Sequence, residues 1–233
     1  MNLIDAYPFL QENKNIPFGQ LLTNYRIKYP NYVGELKVNK GGVGQFLEKL
    51  IGLDNKNSLQ DFLDGELKTN KADLNGTPKE TMFISQISTK FDELIDTKLE
   101  FETSWIYKKI NNLLYVPVCK VGANQEDWFF HSAYHIQLDK NEELYNQLKD
   151  DFLQIRTKLR HDIENAADKF IHTSNGKYIQ IRSKDSKRAN GLYNPIYSDL
   201  CRRYVSNKNH AFYFKKEFME DIQKGTIRSV RVA

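Results

Sequence analysis

Asp61-Phe62-Leu63-Asp64-Gly65-Glu66-Leu67-Lys68 sets one carboxylate ahead of a Glu-x-Lys pair. In a strand, residues i and i+2 point to the same face, so Glu66 and Lys68 project together while Leu67 packs on the other side. Gly65 lets the chain turn and brings Asp61 round to the same place. Asp64 lies only two residues from Glu66, too close to arch over a shared site, and reads as a turn residue. Two carboxylates hold a hard divalent cation through oxygen, and Mg²⁺ takes one or two of them while keeping several waters. The Leu67 carbonyl is a third protein oxygen for such an ion. An ammonium beside the pair orients water and offsets phosphate charge, so the set suits metal-assisted hydrolysis of a phosphodiester. Alone, the spacing is a weak signal, because a chain with 27% charged residues also produces it in a solvated turn and strand.

Working outward, Val43, Phe46, Leu47, Leu50 and Ile51 recur at helical spacing, with Gly52 as a stop. Glu48 rides on that helix. Leu67–Thr69 and Thr81–Ser88 read as strands joined by a turn at Asn75-Gly76. Leu113–Val118 reads as a third strand and Asp127–His131 as a fourth. Leu144, Leu148, Phe152, Ile155, Leu159 and Ile163 form one stripe of a long helix, with Asp139 and Glu142 as a capping-type start. Tyr178–Arg182 and Ala211–Phe214 read as strands separated by a polar loop. Residues 1–34, broken by Pro8, Pro17 and Pro30, read as helical turns. The expected fold is α/β or α+β, a mixed sheet flanked by helices.

Length and composition exclude several classes. The 233 residues contain no apolar run long enough for a membrane span, and the N-terminus has no signal-peptide pattern. Cys119 and Cys201 are lone thiols without metal-site spacing, which suits a reducing cytoplasm. The five histidines show no metal-binding spacing. Charge is uneven: residues 1–150 hold 17 Lys+Arg against 21 Asp+Glu, whereas residues 151–233 hold 17 against 9. An acidic half and a basic half suit an enzyme that grips a phosphate backbone with its C-terminal region.

The block Gly42-x-Val-Gly-Gln-Phe-Leu-Glu48, followed by Asp61-Phe62 and Glu66-Leu67-Lys68-Thr69, resembles the catalytic core of the MutH family of PD-(D/E)XK endonucleases. That family joins a mismatch-repair nickase with related type II restriction enzymes. The resemblance continues through Gly76–Phe83, Phe101–Trp105, Lys108–Val118, Gly176–Lys184 and Phe212–Phe218, covering roughly residues 35–222 in family order. Gln60 stands where many of these nucleases carry proline. The Asp61-to-Glu66 gap is shorter than in MutH itself and equals that of restriction enzymes such as BcnI and MvaI. Segment 185–209 does not resemble the family.

The resemblance implies two lobes around a DNA cleft within a single endonuclease domain: an N-terminal helical arm over 1–34, a catalytic lobe over 35–140 and a basic DNA-reading lobe over 141–233. It assigns Asp61, Glu66 and Lys68 to catalysis, Glu48 as an auxiliary acidic group and Lys109 to the scissile phosphate. Arg182 takes the part of a guanine reader, with Lys184 on the same face. Tyr213 takes the part of the tyrosine that packs against adenine, and Lys215 and Lys216 that of phosphate contacts. The implied activity is Mg²⁺-dependent cleavage of double-stranded DNA, most closely at GATC. A type II restriction enzyme paired with a cognate DNA methyltransferase, with a homodimer on DNA as one arrangement, is favoured. A mismatch-repair nickase and a DNA-binding protein without cleavage remain the alternatives.

Overall fold

The computed structural model describes residues 1–31, 42–53 and 59–230. Gly41 of the glycine-rich block and the expected boundary between 34 and 35 lie outside the described residues. Helices α1 (Leu3–Glu12), α2 (Phe18–Lys28) and α3 (Gly42–Leu50) precede strand β1 (Glu66–Ala72). β2 (Met82–Gln86), α4 (Phe91–Ile95) and α5 (Trp105–Ile110) come next, then β3 (Asn112–Cys119), β4 (Phe129–Phe130) and β5 (Tyr134–Gln137). The remainder is α6 (Glu142–Asn165), β6 (Ser174–Asn175), β7 (Ile179–Ser183), β8 (Ile196–Ser198), β9 (Arg203–Ser206), β10 (His210–Phe214) and α7 (Lys216–Gln223).

These elements form two compact units, and the division is not sequential. One unit comprises Met1–Glu80, Lys109–Gln137 and Lys224–Ala233; the other comprises Thr81–Lys108 and Leu138–Gln223. Residues 81–108, expected with the catalytic lobe, group instead with the C-terminal region because β2 pairs with β10. Residues 1–31 do not form a separate arm. Leu3, Ala6, Leu10, Phe18, Leu21 and Leu22 are buried in one core with Val43, Phe46 and Leu47 of α3 and Leu67, Leu114, Val116 and Val118 of the sheet.

In the first unit β1 runs parallel to β3, from Glu66↔Leu113 to Ala72↔Cys119, and β3 pairs antiparallel with β4 and β5. β3 is buried from Leu113 onward, and its near-continuous apolar sequence fits a strand covered on both faces. The turn at Asn75-Gly76 forms as its sequence predicts: Asp73 Oδ1 accepts from the amides of Asn75 and Thr77, both at 2.9 Å. Ala72 bridges Pro78 across it. The strands beyond do not make a hairpin, however. β2 leaves to join the second unit's sheet, whose order is β2-β10-β7-β6.

The second unit packs that antiparallel sheet with α6, whose expected stripe is buried at all six positions. The helix starts later than its sequence suggested. Residues 138–140 form a 3₁₀ turn, and Asn141 caps α6 by accepting from the Leu144 amide at 3.3 Å. Asn directly before the first helical residue is a strong cap and outcompetes Asp139. β8 and β9 form a separate hairpin. Among the described residues no helix is long and apolar enough to cross a membrane, and both cysteines are free thiols.

Candidate active site

Strand β1 presents Glu66 and Lys68 on one face, as period-two alternation requires. Glu66 is 2% exposed, and its Oε1 accepts from Lys68 Nζ and, at 2.9 Å, from Lys109 Nζ. Lys109 reaches it from the end of α5, directly before β3, the strand paired with β1. The turn ahead of β1 is held by a Phe62 amide donating to the Gly65 carbonyl at 2.9 Å. A side chain at Gly65 would strike the Asn112 carbonyl at 2.5 Å, so only glycine passes between β1 and β3. The turn returns Asp61 to the strand, where its Oδ2 accepts from the Leu67 amide at 2.9 Å. Asp64 faces elsewhere: its Oδ1 accepts from the Leu3 amide at 2.7 Å and so tethers the start of α1.

Helix α3 lies over β1. A Cβ on Gly44 would sit at ordinary contact distance from both Thr69 Oγ1, 3.8 Å, and Glu48 Oε1, 4.0 Å. Electrostatics then tie the groups together. Burial pushes the Asp61 carboxyl up, the Glu66 charge adds to this, and Lys68, the Leu67 amide and Lys109 oppose it. Glu48 is likewise raised, first by burial and then by Asp61, with Lys68 pulling the other way. All five residues assigned to catalysis from sequence, Glu48, Asp61, Glu66, Lys68 and Lys109, are thus brought into one neighbourhood of the first unit.

This neighbourhood sets three carboxyl groups, Glu48, Asp61 and Glu66, against two ammoniums, Lys68 and Lys109. Glu66 Oε2 is buried with no hydrogen-bond partner, and a buried anionic oxygen left bare is strongly unfavourable. Among the described residues, no three His, Cys, Asp or Glu side chains form a ready metal cage. The acidic pair nearest the two lysines is Asp61 and Glu66. That fits a small cation retaining waters better than a fully protein-ligated one.

The second unit carries the residues assigned to DNA. Arg182 on β7 is exposed, and its guanidinium lies 4.3 Å from the ring centroid of Tyr213 on β10. Tyr213 pairs directly with Phe83 of β2, ring to ring at 5.7 Å and nearly perpendicular. The Lys184 ammonium sits 3.3 Å from the Phe83 centroid. Two cations therefore ride on two coupled aromatic rings, a cation–π arrangement open to solvent on the Arg182 side. Tyr213 is only 8% exposed, and burial raises its hydroxyl pKa against the pull of Arg182. Its ring supports Arg182 rather than standing open. Lys215 donates to the Gly176 carbonyl at 3.2 Å, while Lys216 is exposed at the start of α7.

Asp151 escaped the sequence reading. It is fully buried on α6 and collects four donors: Gln147 Nε2 at 2.9 Å and the amides of Lys177, Tyr178 and Ile179 at 2.8, 2.6 and 3.1 Å. It anchors the start of β7, the strand that carries Arg182. The signal was an acid on the apolar face of a helix, next to Phe152 and one turn from Leu148.

No curated protein matches the chain. Residues 52–151 match the MutH family model, described as DNA mismatch repair enzyme MutH. The matched span contains Asp61, Glu66, Lys68, Lys109 and Asp151, though neither Glu48 nor the Arg182 and Tyr213 strands. The part of the chain that carries Asp61, Glu66, Lys68 and Lys109 is thus similar to the MutH family of nucleases.

Proposed function

We propose that the protein is a Mg²⁺-dependent, sequence-specific endonuclease of double-stranded DNA. The observation that carries the reading is Glu66, clasped by two lysines on one oxygen and bare on the other, beside a second desolvated carboxylate. Asp61 and Glu66 would hold the cation, with the Leu67 carbonyl as a further oxygen. Bound there, Mg²⁺ would polarise the scissile phosphate and acidify water at the site. Lys68 orients the attacking water for in-line displacement. Lys109, which reaches the site from the end of α5, would stabilise the phosphate oxygens in the transition state. Glu48, whose carboxyl pKa is raised first by burial and then by Asp61, would accept or return a proton at the edge of the site. The expected products are a 5′-phosphate and a 3′-hydroxyl.

Arg182 presents an exposed fork suited to guanine O6 and N7, and the resemblance of its strand and of the Tyr213 strand to GATC readers supports that site. The unfamiliar segment 185–209 and the Gly44-Gln45 signature support a type II restriction enzyme. It would work with a methyltransferase that protects host sites. A palindrome presents two phosphates, so one Asp61-Glu66-Lys68 set must either pair with a second subunit or cut twice. The description of the matching family model favours one other reading, a mismatch-repair nickase.

Digestion of supercoiled plasmid bearing a few GATC sites tests both. Linear DNA and defined fragments in Mg²⁺, blocked by full N6-adenine methylation, support restriction at GATC. Persistent open circles without linear product would support the nickase instead. Uncut plasmid under all conditions would overturn the endonuclease reading.

A further inference from the structure

Residues 184–209 hold six basic side chains, Lys184, Lys187, Arg188, Arg202, Arg203 and Lys208, against two acidic ones, Asp185 and Asp199. The first part of this segment leaves β7 as a folded loop. Arg188 N donates to the Leu192 carbonyl at 2.8 Å, Gly191 N donates to the Arg188 carbonyl at 2.9 Å, and Gly191 turns with φ +77°. Asp185 closes the base of the loop. Its carboxylate accepts from the amides of Ser186, Asn194 and Asn209 at 2.9, 2.6 and 3.0 Å, and from Asn194 Nδ2 at 2.7 Å. Partial burial pushes this carboxyl up, but those four donors outweigh it and hold it at about 2, so it stays ionised.

All four donors are neutral. An acid set among cations is used to fix amides rather than to cancel charge. Asn194, oriented by Asp185, turns its Oδ1 to accept from Arg188 Nε at 2.6 Å and from Nη2. One edge of the guanidinium is thereby fixed, and the other edge, with Nη1, has no partner among the described residues of this exposed loop. Tyr193 adds rigidity beneath, with Lys187 and Lys208 ammoniums 6.0 and 5.1 Å from its ring centroid. An unrestrained arginine loses rotamer entropy when it is immobilised on a partner; here the Asp185–Asn194 relay removes part of that loss in advance. Non-specific phosphate attraction needs only charge, whereas an oriented fork is the geometry that distinguishes guanine.

We propose that Arg188 is a second specificity-determining residue, reading a guanine edge in duplex DNA, with Asn194 and Asp185 as its positioning residues. The inference rests on the endonuclease reading. It is tested by digesting a random-sequence duplex library in Mg²⁺ and sequencing the cut ends. Arg188→Ala should relax preference at one base pair by roughly 5- to 150-fold, the worth of a bidentate contact, at a position other than the one relaxed by Arg182→Ala. Arg188→Lys keeps the charge but not the fork, and should relax the same base pair. Asn194→Ala should do so partially, a change that mere loop destabilisation would not confine to one position. Unchanged preferences in Arg188→Ala and Arg188→Lys, or a uniform loss over all sequences, would overturn this proposal alone. A wild-type protein that cuts nothing in the library would overturn the endonuclease reading and this one together.

Discussion

Two buried carboxylates, one in each unit, are treated in opposite ways. Asp151 is fully buried and saturated, with both oxygens taking two donors each, three of the four from backbone amides. Glu66 is 2% exposed and lopsided, with two ammoniums on Oε1 and nothing on Oε2. A carboxylate that only holds structure is fully satisfied, because each missing bond costs stability. One left half-satisfied among other acids is a candidate place for a ligand, because perturbed carboxylates cluster at functional sites.

The contrast should be sharpest in catalysis. Asp61→Ala and Glu66→Ala should each lower plasmid cleavage by about three orders of magnitude or more, equivalent to several kcal/mol of transition-state stabilisation. Specific DNA binding in Ca²⁺ should persist. Asp64→Ala should cut at near wild-type rate, since Asp64 tethers α1 and faces away from Glu66. Inactive Asp64→Ala beside active Asp61→Ala would exchange the two assignments.

Stability should show the reverse order. Asp151→Ala strips a buried charge from four donors and should cost about 3–5 kcal/mol in denaturant unfolding, the range for breaking a buried charged network. Glu66→Ala should cost less without metal, because it also removes a bare buried oxygen, and Lys68 and Lys109, 14% and 18% exposed, can turn to water. Equal losses would mean that Glu66 is structural after all.

How far the sequence reached can be traced residue by residue. Glu66 and Lys68 were legible because strand periodicity is local, and Asp61 because Gly65 signals a turn. The α6 stripe and the Asn75-Gly76 turn were legible for the same reason. The destination of β2 was not: turn chemistry specifies the turn, while pairing with β10 is a long-range outcome of packing. The β8–β9 hairpin was missed because its strands are three and four residues long. Lys109 and Arg182 came from family resemblance alone, since no local pattern separates them from the other surface cations. Asp151 could have been read from its place on an apolar helix face, although which amides it binds depends on where β7 begins.

A smaller effect separates reading from gripping on the strand that Asp151 anchors. Arg182→Ala should lose roughly 1–3 kcal/mol of discrimination at one guanine. Lys216→Ala, exposed at the start of α7, should weaken binding to every sequence and flatten the salt dependence. Gel shifts on matched and single-mismatch duplexes check this. Equal losses on cognate and random DNA for Arg182→Ala would remove the readout role.

Calorimetric titration of Mg²⁺ into the DNA-free protein tests the central claim most directly. Asp61 and Glu48 have raised folded pKa values, so their protonated forms stabilise the fold. That contribution is complete below the ordinary carboxylate range and is lost as pH rises through the raised values. A cation that takes up their charge must therefore displace protons, and its affinity must fall as pH drops through the same window. The wild type and Asp151→Asn should bind Mg²⁺ alike, more weakly at acid pH, while Glu66→Gln and Asp61→Asn lose the binding. Undiminished Mg²⁺ binding by Glu66→Gln and Asp61→Asn would contradict the account.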